Sequence, residues 1–446
     1  MRVLIANDID ENLFLRKDTR AWSQRVFWLG EPGDLVIVPD TPDIAFVEHV
    51  GLVRQKDLST VRVSVAPPGK YGTKMIDMSA LCNPGYIDTL RTMLPSDDSV
   101  EIVLLFPSIA AARFVEALGR SATIEGQEFF RQGGANLSNS KAAFRALATG
   151  VVPIADGDVC FTREEAHCAI LDLLASGRRV LIKKVQAGGG VGNELLSVDS
   201  PLPSHIGVLT ARRIPDHSKQ SVQDYLDERW QWASMDGRLP VVVEEFHDVR
   251  ASFAIEYHLT DSGITLLGTS RLDYENNRIC REIFGDMPSS QRSSAEFRHG
   301  GESLAVKYRH LGYRGYICFD AIVTEAGQVL FTEANARTAT GTHVNVAFQQ
   351  FLAGATPSRL AQVASDRGWG ALSTAAFLRA VRDHHLDFDP DTGHGIVMMT
   401  PPLSDRPGGG FMYLIGSADE AGAAVYQEKL LKCVPRAERE TAPATS

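Results

Sequence analysis

The stretch YICFDAIVTEAGQVLFTEANAR, from Tyr316 to Arg337, constrains this chain more than any other, because acids are set into two apolar runs that flank a turn. Ala326-Gly327 reads as a two-residue hairpin loop. Pairing outward from it places Ile322 opposite Phe331 and Asp320 opposite Glu333. Two carboxylates at such a cross-strand pair lie roughly 5 Å apart and repel unless a cation sits between them. Asn335 and Arg337 follow Glu333 at period two, so two acids, an amide oxygen and a guanidinium share one face of a ribbon. Oxygen-only ligands suit Mg2+, which keeps several waters and takes one or two carboxylates plus the phosphates of a substrate. The plainer alternative is an exposed hairpin whose acids are solvated.

The 446 residues exceed what one hydrophobic core normally organises, so two or three units are expected. A hydrophobic content of 44% with 22% charged residues is ordinary for a globular chain. No apolar run is long enough to span a membrane, and the start MRVLIANDIDENLF does not fit a signal peptide. Six scattered cysteines without a CxxC or a zinc spacing read as reduced residues of a cytoplasmic protein. A formal net charge of −10 disfavours a nucleic-acid partner, which calls for clustered Lys and Arg. His384, His385 and His394 lie in a loop-rich stretch, where such histidines more often hold no metal.

Residues 1–125 alternate apolar runs (RVLIA, DLVIVP, VRVSV, EIVLLF) with helical stretches such as Asp88 to Met93 and Ala110 to Leu118, the pattern of a small α/β domain. No G-x-G-x-x-G follows its first strand, so it is not read as a dinucleotide site. A helix then opens at Asn136, Ser138 or Ser140, carries KAAFRALAT and closes at Gly150. The strand RRVLIKKV, the loop QAGGGVGN and the strand ELLSV come next, followed by a helix over 221–233 and the strand LPVVVEEF. After about residue 353, HGIVMMTP, a Pro/Gly turn at 401–410, FMYLIG and a helix capped by Ser417 form a small β-β-α unit, with a frayed tail behind it.

Gly188, Gly189, Gly190 and Gly192 sit between two expected strands, where a Walker loop or Rossmann fingerprint would need a strand followed by a helix. A glycine-rich turn joining strands can lie over phosphates and offer backbone amides; a plain surface hairpin is the alternative. Lys183 occupies a strand position from which an ammonium reaches those phosphates, while Lys184 points to the other face. Lys141 falls in the first turn of its helix, a place that favours a cation only when an anion is near. Glu244 and Glu245 end an apolar strand before Phe246. One of them can accept an adenine amino group, and period two favours Glu244.

In this order the pieces resemble the ATP-grasp superfamily, over roughly residues 126–352. The resemblance implies a pre-ATP-grasp α/β domain over 1–125 and an ATP-grasp domain over 126–352, whose two α+β lobes (126–210 and 211–352) clasp ATP. A C-terminal accessory domain over 353–446 follows. It further implies that Lys141, Lys183 and the glycine loop hold phosphates, and that Glu244, Glu245, Phe246 and Asp248 line the nucleoside. Asp320, Glu333 and Asn335 would bind Mg2+. The RQGGANLSNSKAAF entry, TEANARTATGTH, and HGIVMMTPP with GGGFMYLIG look like the ATP-grasp peptide ligases of the pheganomycin type. Such enzymes join an amino-acid-like guanidino acid to the N-terminal amine of a peptide through an acyl phosphate, in natural-product biosynthesis. A homodimer is compatible with this resemblance. Two departures stand out. Only Asp248 lies near the place where many relatives hold ribose with an acid, and Cys318 stands where D-alanine-type ligases carry an arginine. Arg337, Arg281 and Arg271 are therefore the candidates for stabilising the acyl phosphate. A carboxylase of the biotin-carboxylase type, which shares the Glu-x-Asn-x-Arg signature, and a nucleotide-binding protein without turnover are the competing readings.

Overall fold

The computed structural model describes residues 1–7, 18–95, 100–119, 122–188, 190–199, 207–275, 277–353, 360–366, 372–402 and 411–434. Gly189, most of the Pro/Gly turn and the C-terminal tail named above lie outside them. Three sheets organise the described residues. The first is parallel, with strands in the spatial order Arg62–Val65, Leu35–Val38, Arg2–Ile5, Val100–Leu104 and Ala122–Thr123. Leu35–Val38 is buried at all four residues, as expected of a strand covered on both faces. Helices Ile44–Arg54, Pro84–Met93 and Ile109–Leu118 supply the cover, and Asp43, Asn83 and Ser108 cap them by accepting a backbone N–H. The second of these starts four residues before the expected Asp88, because Asn83 followed by Pro84 makes a strong helix start.

The second sheet has the order Gly157–Cys160, Val241–Glu245, Val180–Lys184, Asn193–Ser197 and Thr210–Arg213. Helices Arg163–Ala175 and Lys219–Ala233 pack on one face through Ile170, Leu174, Val222 and Leu226 against Val180, Ile182, Leu196 and Val243. The opposite face carries a smaller apolar cluster of Leu181, Leu195, Val208 and Phe246. Val241–Glu245 pairs between Gly157–Cys160 and Val180–Lys184, so this sheet takes in a strand from beyond the 210/211 division expected from sequence.

The third sheet has eight strands: Val329–Asn335, Gly315–Thr324, Val249–Leu259, Ile264–Glu275, Arg278–Phe284, Leu360–Asp366, Phe411–Ser417 and Gly395–Met398. The long helix Gln291–Leu311 packs on it through Phe297, Leu304 and Tyr308. Gly300 permits the close approach, since a Cβ there would lie 2.4 Å from Phe331 Cε2. The expected β-β-α unit is present, and Leu360–Asp366 joins its strands to the larger sheet. Its helix, Glu420–Cys433, is capped by Asp419 and not by Ser417, because Ser417 is still the last residue of the strand. All six cysteines are free thiols, and among the described residues no helix is long and apolar enough to cross a membrane.

Candidate functional site

The acidic hairpin brings Asp320 and Glu333 opposite each other. Its turn differs from the expected two-residue loop. Thr324 N–H donates to Gln328 O across Glu325, Ala326 and Gly327, and Gly327 takes φ +83°. Phe331 therefore faces Ala321 instead of Ile322. A bulge between Ala321 and Asp320 then absorbs Thr332 and restores the pairing of the two acids. The Thr332 hydroxyl donates to Asp320 O at 3.2 Å, fixing the extra residue.

Around the acids the network is closed. Asn335 Nδ2 donates to Asp320 Oδ2 at 3.0 Å, and Arg337 Nη2 donates to Asn335 Oδ1 at 2.7 Å. Arg337 Nη1 reaches Asn139 Oδ1 at 2.5 Å, and its guanidinium lies 5.7 Å from the Phe106 ring centroid. Lys141 Nζ pairs with Glu333 Oε2 at 2.7 Å and donates to Ala187 O at 2.5 Å. Lys141 is the first residue of a helix capped by Ser140, and its N–H bonds Val185 O at the end of the Lys183 strand. Burial and the neighbouring Glu333 charge push Asp320 well above the usual carboxylate range. Glu333 is held below that range, against its burial, by Lys141 and then Lys183.

A second cluster lies on the open face of the second sheet. Lys183 Nζ is 2.5 Å from Glu244 Oε1, and Arg145 Nη1 is 2.9 Å from Glu244 Oε2. Leu181, Leu195, Val208 and Phe246 form an apolar floor beside them. Lys184 turns the other way, over the Trp232 ring at 4.6 Å, as the alternation required. Glu245 also faces away, toward Arg178 at 3.1 Å, and Asp248 is an exposed partner of Arg179 at 2.6 Å. The glycine loop is tightly folded: Gly190 has φ +74° with Gly207 O 2.9 Å from where its Cβ would sit, and a Cβ on Gly192 would lie 2.3 Å from Ala187 Cβ. Gly188 abuts Arg337, whose Nη2 is 3.5 Å from the corresponding point.

Lys141, Lys183, Glu244, Asp320, Glu333, Asn335 and Arg337 thus form two adjoining clusters. Arg271 and Arg281 are occupied elsewhere. Arg271 bonds Asp273 at 3.0 Å, Asp286 at 2.7 Å and Glu420 at 2.8 Å, while Arg281 bonds Asp273 at 2.6 Å. Three participants escaped sequence reasoning: Asn139, Arg145 and Tyr274. The Tyr274 hydroxyl is raised chiefly by burial and then by the charges of Asp320 and Glu333, and Ser252 hydrogen-bonds it. Arg145 carried a usable signal, since it follows Lys141 by four residues on one helix face.

Two carboxylates and one amide oxygen do not make a closed protein cage, and among the described residues no group of three or more His, Cys, Asp or Glu is placed to hold a metal. That donor set fits Mg2+, whose remaining positions go to water and phosphate.

Residues 23–120 match the pre-ATP-grasp domain family. No curated protein matches the chain by sequence. Among solved structures, the biotin carboxylase domain of 2-oxoglutarate carboxylase from Hydrogenobacter thermophilus, solved with MgADP and bicarbonate, is similar at a TM-score of 0.58 and 14% identity, covering 98% of this chain and 90% of that one. Biotin carboxylase from Campylobacter jejuni gives 0.57 and 13%, covering 97% and 91%. N5-carboxyaminoimidazole ribonucleotide synthetase from Thermus thermophilus gives 0.56 and 11%, covering 98% and 99%. The chain therefore has the ATP-grasp fold, behind a pre-ATP-grasp domain and ahead of a β-β-α unit that extends the sheet carrying Asp320 and Glu333.

Proposed function

We propose that the protein is an ATP- and Mg2+-dependent carboxylate–amine ligase that forms an amide bond through an acyl phosphate. The observation that carries this reading is the pair of adjoining charge clusters, in which Lys141 and Lys183 hold the carboxylates Glu333 and Glu244. Both ammoniums are placed to exchange a carboxylate for a phosphate oxygen when a nucleotide enters. Glu244 and the floor of Leu181, Leu195 and Phe246 suit a purine base, polar at its edge and apolar on its faces. Lewis-acid neutralisation of the phosphates is the chemistry Mg2+ supplies when bound by Asp320, Glu333 and Asn335. Arg337, whose Nη2 is held by Asn335 and Nη1 by Asn139, is aimed to steer the substrate carboxylate to the γ-phosphorus. The glycine loop shields the acyl phosphate from water until an amine displaces phosphate. The similarity to peptide ligases of the pheganomycin type supports an amino-acid-like acid and a peptide amine as substrates.

A carboxylase reading is favoured by one observation, the structural likeness to a biotin carboxylase domain solved with ADP and bicarbonate. One experiment separates the two: ADP release is measured with mixtures of amino acids and peptides, and separately with bicarbonate. ADP release that needs acid and peptide, with a peptide mass gain, supports the ligase. Dependence on bicarbonate alone supports the carboxylase, and formation of AMP and pyrophosphate would overturn both.

A further inference from the structure

We infer that Arg145 is a positioning residue that supplies the standing counter-charge of Glu244 and fixes its Oε2, so that Glu244 stays aimed at the nucleotide base when Lys183 turns to phosphate. The inference rests on the nucleotide reading above. Glu244, Lys183 and Arg145 are all buried, and each Glu244 oxygen has its own cation: Lys183 on Oε1 at 2.5 Å and Arg145 on Oε2 at 2.9 Å. The two cations are anchored differently. Lys183 carries a point charge on a flexible stem, which a polyphosphate can draw away. Arg145 cannot follow, because its Nη1 also donates to Ala155 O at 3.1 Å and its Nη2 to Gly157 O at 2.6 Å.

Gly157 makes this anchorage possible. It is the register partner of Glu244, at φ +148°, and a Cβ on it would lie 2.8 Å from Glu244 Cβ and 2.2 Å from Val243 O. Only glycine lets the strand pass this close to Glu244 and present its carbonyl to Arg145. Once Lys183 leaves, Oε1 is free to accept an exocyclic amino group while Oε2 keeps its guanidinium. Without Arg145 the buried carboxylate would have neither a counter-charge nor a donor to fix Oε2, and would turn away from the base. The consequence is specificity: Arg145 sustains the preference for a 6-amino purine over a 6-oxo purine.

The test compares ATP and inosine triphosphate binding, with Mg2+, by calorimetry. The wild-type protein should prefer ATP. Arg145→Met should lose about tenfold in ATP affinity with little change for inosine triphosphate, as expected for one charged hydrogen bond. Arg145→Lys, which keeps the charge, should recover most of the preference. Adding Arg145→Lys to Glu244→Gln should leave the ratio of the two affinities where Glu244→Gln puts it, which keeps the test valid if the Met variant unfolds. Equal losses for both nucleotides, or a further change of the ratio in the double variant, would overturn the inference. A wild-type protein that binds neither nucleotide would instead remove the nucleotide reading beneath it.

Discussion

The hairpin cluster and the lobe cluster use the same residue types in opposite proportions. At the hairpin two half-buried carboxylates, Asp320 and Glu333, face each other, and among the described residues one ammonium, Lys141, pairs with them directly. At the lobe one buried carboxylate, Glu244, is shared by two cations, Lys183 and Arg145. The first arrangement is short of positive charge and drives Asp320 toward protonation; the second is short of negative charge. On the proposed reading, a metal–nucleotide complex would bring both missing charges at once, the cation to the hairpin and the phosphates to the lysines.

If the hairpin is the metal end, Glu333→Gln should cut turnover by more than about a hundredfold, about 3 kcal/mol of barrier, with the fold retained. ADP release across a Mg2+ titration checks it, together with a melting curve. Near-normal turnover in limiting Mg2+ would remove the distinction between the clusters. If the lobe is the anion end, Lys183→Met should weaken nucleotide binding by about thirtyfold, ~2 kcal/mol, yet leave the Mg2+ requirement of turnover in place. An equally large shift in that requirement would show that the two clusters act as one.

Arg337 lies beyond the hairpin acids and is bonded to Asn335 and Asn139. Arg337→Lys keeps the charge without the planar fork, so hydroxylamine trapping of the activated acid should fall by at least roughly tenfold, about 1.4 kcal/mol, while nucleotide affinity changes little.

The smallest effect comes from a second acidic pair, Glu256 and Glu282, held by hydroxyl and amide donors. Glu256 accepts from Thr342 and Asn345, and Glu282 accepts from Ser270. Burial raises them to about 7 and about 8, with Glu256 adding to the rise of Glu282 and the Arg25 charge opposing that of Glu256. An unfolded Glu titrates near ~4.3, so the folded chain holds extra protons above that value. This contribution to stability is complete below the unfolded value and is lost as pH rises through about 7 and then about 8. Glu282→Gln should therefore flatten the fall of melting temperature between about pH 6 and about pH 8.5 by roughly a few degrees. An unchanged slope would mean that these acids are ionised throughout.

The pairing of Asp320 with Glu333 was legible in sequence, although two details behind it were not. A three-residue turn shifts the ladder by one, and the bulge at Thr332 shifts it back. The run Glu-Ala-Gly-Gln admits either turn, and in the folded chain the Ser293 hydroxyl of Gln291–Leu311 donates to Gly327 O at 3.2 Å. Alternation placed Lys183 and Glu244 on one face because a strand is periodic. It could not find Arg145 or Asn139, whose partners lie 99 and 198 residues away. Arg271 looked available because two of its acids, Asp286 and Glu420, come from a turn and a distant helix start, while Arg281 is taken by its cross-strand neighbour Asp273. The short run LAQVASD, small and mixed in character, gave little sign of a strand, so the union of the C-terminal unit with the large sheet was invisible.

That union has a consequence for handling the protein. Leu360–Asp366 pairs with Arg278–Phe284 on one side and with Phe411–Ser417 on the other, and the sheet then ends on the four-residue strand Gly395–Met398. A short terminal strand offers a stranger little to pair with. Shortening the chain before Leu360 would turn Arg278–Phe284 into a bare border of unpaired amides and carbonyls, a template for other copies. Solubility, ahead of catalysis, would be the first property of such a fragment to fail.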